Sequence, residues 1–293
     1  MAMPLAKLVN MLKPKRRWGQ FSLATLLVVV TVLCVGLSLV VVPAERQRRA
    51  VAAIEALGGE VKYYERDQEG TDQESSETFP RPFLRRWLPQ DYFDEVRVVS
   101  LGHVEVTDVE LAHVQGLAEL QVLLLDGAQV TDAGLAHLHG LTELQELSLE
   151  GTQVTDLGLA HLQGMTGLRW LFLNATQVKG AGLAHLQALN RLEWLHLNGT
   201  QVTDTGLAHV QALTWLEWIS LEDTQVTDAG LAHLRGLKSL EMLFLGGTQV
   251  TDVGLAHLHG LTGLRQLFLD GTQVSDGGLT ELRQALPNCR IER

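Results

Sequence analysis

Seven histidines recur at a fixed interval: His113, His137, His161, His185, His209, His233 and His257, each 24 residues after the last. Stacked imidazoles are zinc chemistry when acidic or thiolate ligands share their face. Here no Asp, Glu or Cys falls on the helix flank that would carry them, so the column reads as one unit copied many times and no metal site is expected. Three tryptophans, Trp170, Trp194 and Trp218, keep the same interval and could bind a partner or stack on one another. Asp126, Glu150, Glu222 and Asp270 form an acidic column, which on an open sheet is solvated rather than catalytic. The chain holds no Gly-rich phosphate loop, G-x-S-x-G, H-E-x-x-H or C-x-x-C. Neither an enzyme nor a cofactor is expected.

What positions these columns is a repeat, typified by residues 130–153, VTDAGLAHLHGLTELQELSLEGTQ. Thr-Asp marks its phase at residues 107, 131, 155, 203, 227 and 251; Ser275-Asp276 closes the series and Lys179-Gly180 interrupts it. Such a period signifies a solenoid. In the first half of the unit, Leu135, Leu138 and Leu141 lie on one face of a short helix. Thr131 or Asp132 can cap that helix, Gly134 lets it approach the sheet, and Gly140 marks its end. In the second half, Leu147 and Leu149 alternate with Ser148 and Glu150 as in a strand. About seven inward apolar side chains, at roughly 1.5–3 kcal/mol each, do not offset the entropy of ordering one unit, so units must stack.

The L-x-x-L-x-L pattern of Leu144, Leu147 and Leu149, followed by Thr152 and a helix, resembles the leucine-rich-repeat family over residues 96–286. The V-T-D-x-G-L phrase is similar to the variant in bacterial membrane-anchored members and in F-box leucine-rich-repeat proteins. The resemblance implies an α/β horseshoe with a parallel concave sheet and convex helices. Thr152, Thr176, Thr200, Thr224, Thr248 and Thr272 stand where the family has Asn, and a hydroxyl there can still bond backbone. The resemblance also sends the residues between the strand leucines to the concave face. Trp170, Trp194 and Trp218 would then form a ladder with Phe172, His196 and Phe244 beside it, rimmed by Asn174, Asn198 and Glu222. That set is the expected partner-binding site.

Residues 1–20 carry five basic residues and no acid, and residues 21–42 carry no charge. Twenty-two helical residues span about 33 Å, enough for a bilayer core of about 30 Å. The run is longer than the apolar region of a cleaved signal, and Val40-Val41-Val42-Pro43 is no cleavage site, so an uncleaved anchor over 21–43 is expected. The flanking charges favour the N-terminus inside and the repeats outside the cytoplasmic membrane. Residues 44–95 read as linker and cap: a helix, a Gly58-Gly59 stop, a strand around 61–64, an acidic loop over 65–79, and Phe83, Leu84, Trp87, Leu88, Tyr92 and Phe93 covering the first repeat. Residues 287–293 should close the last unit. Two cysteines make no disulfide framework.

Residues 1–50 hold eight Lys/Arg against one acid, so the chain's −11 leaves −18 on residues 51–293, which excludes nucleic acid as a partner. The expectation is a membrane-anchored, non-catalytic scaffold that recognises a protein through its concave face. Carbohydrate or cell-wall binding is the alternative, because tryptophan faces one strand apart could stack on sugar rings. An F-box-like substrate-recognition role is opposed by an anchor where the F-box would be.

Overall fold

The computed structural model describes residues 23–63, 94–102 and 104–293. Two compact units divide the chain: Met1–Glu45 with Gly70–Phe93, and Arg46–Glu69 with Asp94–Arg293. The basic stretch 1–20, the acidic loop and the aromatic cap residues 83–93 lie outside the described residues.

In the first unit the described residues form the opening of helix α1 (Leu23–Ala56). Its large apolar side chains, Leu27, Val28, Val29, Val32, Val35 and Leu39 among them, face outward. Thr31 and Ser38 donate their hydroxyls back to the Leu27 and Val35 carbonyls, so neither asks for water. By length and composition the helix can cross a membrane. The expected separation into an anchor ending at Pro43 and a second short helix differs from what is seen, since Pro43 lies inside one continuous helix. Proline's fixed φ suits a helix, and its cost there is one backbone hydrogen bond and crowding against the preceding turn.

The second unit is one sheet in sequential order: β1 (Glu60–Tyr63), β2 (Val96–Ser100), β3 (Val122–Leu124), β4 (Glu146–Ser148), β5 (Trp170–Phe172), β6 (Trp194–His196), β7 (Trp218–Ser220), β8 (Met242–Phe244), β9 (Gln266–Phe268) and β10 (Arg290–Glu292). β1 pairs antiparallel with β2, and β2 through β10 are all parallel. Every strand pair steps by 24 residues from Val98↔Val122 to Gln266↔Arg290, so the sequence columns are the physical rows. The inward positions of the sample unit, Val130, Leu135, Leu138, Leu141, Leu144, Leu147 and Leu149, are all buried. The convex half is shorter than a regular helix: one α turn, Asp132–Leu135, runs into a 3-10 turn, Ala136–Leu138. Asp204–Val210 is α throughout, and Gly158–Leu162 and Ala181–Ala188 are 3-10 throughout.

The Thr-Asp pair does more than cap. Thr131 accepts from the Ala133 amide at 3.2 Å as a helix cap. Asp132 reaches instead into the next unit, accepting from the Thr155 amide at 2.7 Å and the Thr155 hydroxyl at 2.6 Å. Asp108, Asp204, Asp228 and Asp252 repeat this clamp on Thr131, Thr227, Thr251 and Ser275. At the interruption, Asp156 accepts only the Lys179 and Gly180 amides, both at 3.1 Å. This corrects the role expected of the helix glycine. A Cβ on Gly134, Gly158, Gly230, Gly254 or Gly278 would collide with the preceding unit's carboxylate, so the glycine makes room for the clamp. The threonines standing for Asn each donate to the carbonyl three residues back, as Thr200 does to Leu197 at 2.6 Å.

The ends are closed by the chain itself. Ala50, Val51 and Ile54 of α1 join the repeat core, with Ala50 against Gly116. At the far end Ile291 of β10 packs on that core, Leu286 is buried, and Arg293 donates to the Val274 carbonyl at 2.7 Å.

Candidate recognition surface

Strand alternation turns Leu171, Leu195 and Ile219 into the core and leaves Trp170, Phe172, Trp194, His196 and Trp218 on the opposite face of the sheet. Their 24-residue register brings the rings together. Trp170 and Trp194 have centroids 6.1 Å apart, and Trp194 and Trp218 4.9 Å. His196 lies 4.7 Å from Phe172 and stacks on Trp218 at 5.6 Å. Phe244 stacks on Trp218 at 5.2 Å and on Phe268 at 4.4 Å. The expected ladder is therefore a slanting ribbon, and Phe268 extends it beyond the residues singled out from sequence. All of these side chains are half-buried, each ring covered on its flanks by its neighbours.

Hydrogen bonding inside the ribbon is incomplete. The indole nitrogens of Trp170 and Trp218 and Nε2 of His196 are buried and have no partner among the described residues. Burial also holds the His196 imidazole below its ordinary range, so it is neutral at pH 7.

Asn174, Asn198 and Glu222 line up beside the ribbon, but their polar groups are largely engaged with each other. Asn174 Oδ1 accepts the Asn198 amide at 2.9 Å, Asn198 Oδ1 accepts the Glu222 amide at 2.9 Å and the Ser220 hydroxyl at 2.5 Å, and Asn198 Nδ2 donates to Glu222 at 2.9 Å. This ladder links β5, β6 and β7 through side chains. Burial, with Asp223 and Asp270 nearby, raises the Glu222 carboxyl above its usual range against the Asn198 bond. Glu146 is raised by burial and by Asp126.

The turns that lead into the strands hold a second feature, absent from the reading of the sequence. A cleft of about 970 Å³ is lined by Thr142, Glu143, Gln145, Gly167, Arg169, Arg191, Glu193 and Trp215, among others. Arg169 makes a bidentate pair with Glu193 at 2.9 and 2.8 Å and lies over the Trp170 ring, 4.9 Å from its centroid. The signal was present in the repeat: the column Glu143, Gly167, Arg191, Trp215 varies where the framework does not.

The histidine column faces between units. His137, His185 and His209 bond Gln115, Gln163 and Gln187 of the preceding unit, and His257 bonds Arg235. No group of three or more metal-capable side chains occurs among the described residues.

The leucine rich repeat family profile matches residues 214–274. Among solved structures, internalin C2 from Listeria monocytogenes is 28% identical with a TM-score of 0.56, covering 67% of this chain and 80% of its own. A Leptospira interrogans leucine-rich-repeat protein is 20% identical over 66% of this chain and 59% of its own, with a TM-score of 0.39. Listeria monocytogenes internalin F is 18% identical over 67% and 86%, with a TM-score of 0.27. No curated protein matches the sequence.

Proposed function

We propose that this leucine-rich-repeat protein is a membrane-anchored, non-catalytic recognition scaffold whose sheet face, over β5–β9, binds a protein partner. The observation that carries the reading is the set of orphaned ring nitrogens on Trp170, Trp218 and His196 within an otherwise packed aromatic ribbon. A buried donor without a partner costs about 1–3 kcal/mol, and acceptors on a docking chain would recover it. Large, rigid rings framed by a fixed polar ladder are also the composition of interface hot spots. Trp170, Trp194, Trp218, Phe172, His196 and Phe244 are the contact residues, Phe268 prolongs them, and Asn174, Asn198 and Glu222 hold their strands in register.

The anchor reading rests on the outward apolar side chains of α1 and on its internally satisfied hydroxyls. With basic residues 7–17 retained in the cytoplasm, the repeats stand outside the cytoplasmic membrane. Affinity capture with the full-length chain in detergent, run beside Trp194→Ala and Trp218→Ala, tests the surface. A partner retained by the wild type and lost by both folded variants supports it, and equal retention by all three refutes it.

A further inference from the structure

The cleft in front of β4–β7 runs across the turns of successive units. In the column that runs across these turns, Glu143 precedes Gly167, and Arg191 and Trp215 follow it. Gly167 sits so near the Thr142 carbonyl that a Cβ would lie 3.2 Å from it. The hollow above the glycine has Glu143 on one side and Arg191 and Trp215 on the other. Trp215 is 63% exposed, the largest aromatic face that the described residues turn to solvent, and no ring contact covers it. Along the strand side lies the planar Arg169–Glu193 pair, held rigid by its two hydrogen bonds. The side chains of Gln145, Asn190 and Arg191 line the same hollow, and none of them makes a hydrogen bond or ion pair among the described residues.

We propose that this cleft is a saccharide-binding site. Its chemistry selects the ligand. Two acids, Glu143 and Glu193, balance two bases, Arg169 and Arg191, so the site has no preference for a charged ligand. A peptide docking as an extra strand would need a free sheet edge, and the backbones of β4–β7 are paired on both sides. An apolar helix would need a continuous greasy stripe, and the cleft offers one aromatic face among polar groups. A neutral sugar ring matches it: C–H groups pack on the flat Trp215 face, and neighbouring hydroxyls engage planar groups that donate and accept side by side. The volume falls within the range of small-ligand sites, about 300–1,000 Å³, and admits more than a single ring. The cleft adjoins the aromatic ribbon where Arg169 lies over Trp170, but Trp215 and Arg191 belong to the turns and not to the ribbon, so variants at these two positions tell the two sites apart.

The test is binding of the full-length chain in detergent micelles to an array of neutral oligosaccharides covering α- and β-linked glucose, galactose, mannose and N-acetylhexosamines. Hits are followed by saturation-transfer NMR and titration. At least one oligosaccharide should bind saturably. Trp215→Ala and Arg191→Ala should each weaken it roughly tenfold or more while leaving the melting temperature unchanged, since both side chains are largely exposed. Trp194→Ala, on the ribbon, should leave that affinity intact. An array without a saturable ligand, or affinity that survives both Trp215→Ala and Arg191→Ala, overturns the proposal. Affinity lost in Trp194→Ala and kept in Trp215→Ala also overturns it, by placing the sugar on the sheet.

Discussion

Replacing Gly230 by alanine should destabilise the wild-type protein and yet stabilise, or leave unchanged, a protein that already lacks Asp204. Gly230 is buried in the helical turn Asp228–Leu231, where alanine is normally the better residue by about 1 kcal/mol. A Cβ there would run into Asp204 Oδ1 and come within 3.0 Å of Val226 Cγ1. Overpacking of this kind costs about 1–3 kcal/mol, so Gly230→Ala alone should lose up to about 2 kcal/mol after the helix gain. Asp204→Ala removes the acceptor of the Thr227 amide at 2.8 Å and of its hydroxyl at 2.6 Å. Hydrogen bonds to a charged group contribute about 1.5–3 kcal/mol, and the Thr227 amide stays half-buried without them. In the double variant the methyl occupies the space that the carboxylate leaves, so the two costs should fall short of their sum by at least about 1 kcal/mol. Urea unfolding followed by circular dichroism reads this, or thermal midpoints at about 2–4 °C per kcal/mol. If Gly230→Ala costs the same in both backgrounds, carboxylate and glycine do not share that space and the clamp account of the repeat is wrong.

Asp156→Ala, at the interrupted clamp with its two 3.1 Å bonds and no hydroxyl partner, should cost less than Asp204→Ala in the same unfolding assay. Leu195→Asp places an unpaired charge in a fully buried row and should cost several kcal/mol, whereas Gln201→Ala on an exposed turn should change the midpoint little. Trp194→Ala should lower the melting temperature only modestly while abolishing partner capture; a large loss of stability with capture intact would make the ribbon structural. The folded His196 imidazole titrates below its ordinary 6.5, so the unfolded chain binds its proton first, and stability falls as pH drops below about 6.5. His196→Phe should reduce that acid-side loss between pH 7.5 and 5.5, while the raised carboxyls Glu146 and Glu222 act in the opposite sense nearer their own range and are unchanged by the substitution. Protease added to intact spheroplasts should digest the repeats, and their protection would reverse the proposed orientation.

The sequence by itself determined the architecture, because a solenoid repeats one local decision. The 24-residue period, the alternating leucines and the Thr-Asp phase sufficed to assign columns, and the strand pairing runs residue for residue along them. The uncharged run before Pro43 was legible as a helix long and apolar enough to cross a membrane, since length and polarity are properties of one segment. What the sequence could not express was contact between units. A glycine three residues after Thr-131 reads as a local packing residue, and only the stacked fold shows it facing the previous unit's aspartate. The rim expected of Asn174, Asn198 and Glu222 became a ladder because their side chains reach the neighbouring strand's amides, at distances set by strand spacing. Exposure was likewise a property of the assembly. Trp194 and Trp215 are the same residue type, yet one is walled in by rings on adjacent strands and the other stands exposed on a turn, and that difference depends on which side chains the fold sets beside each of them.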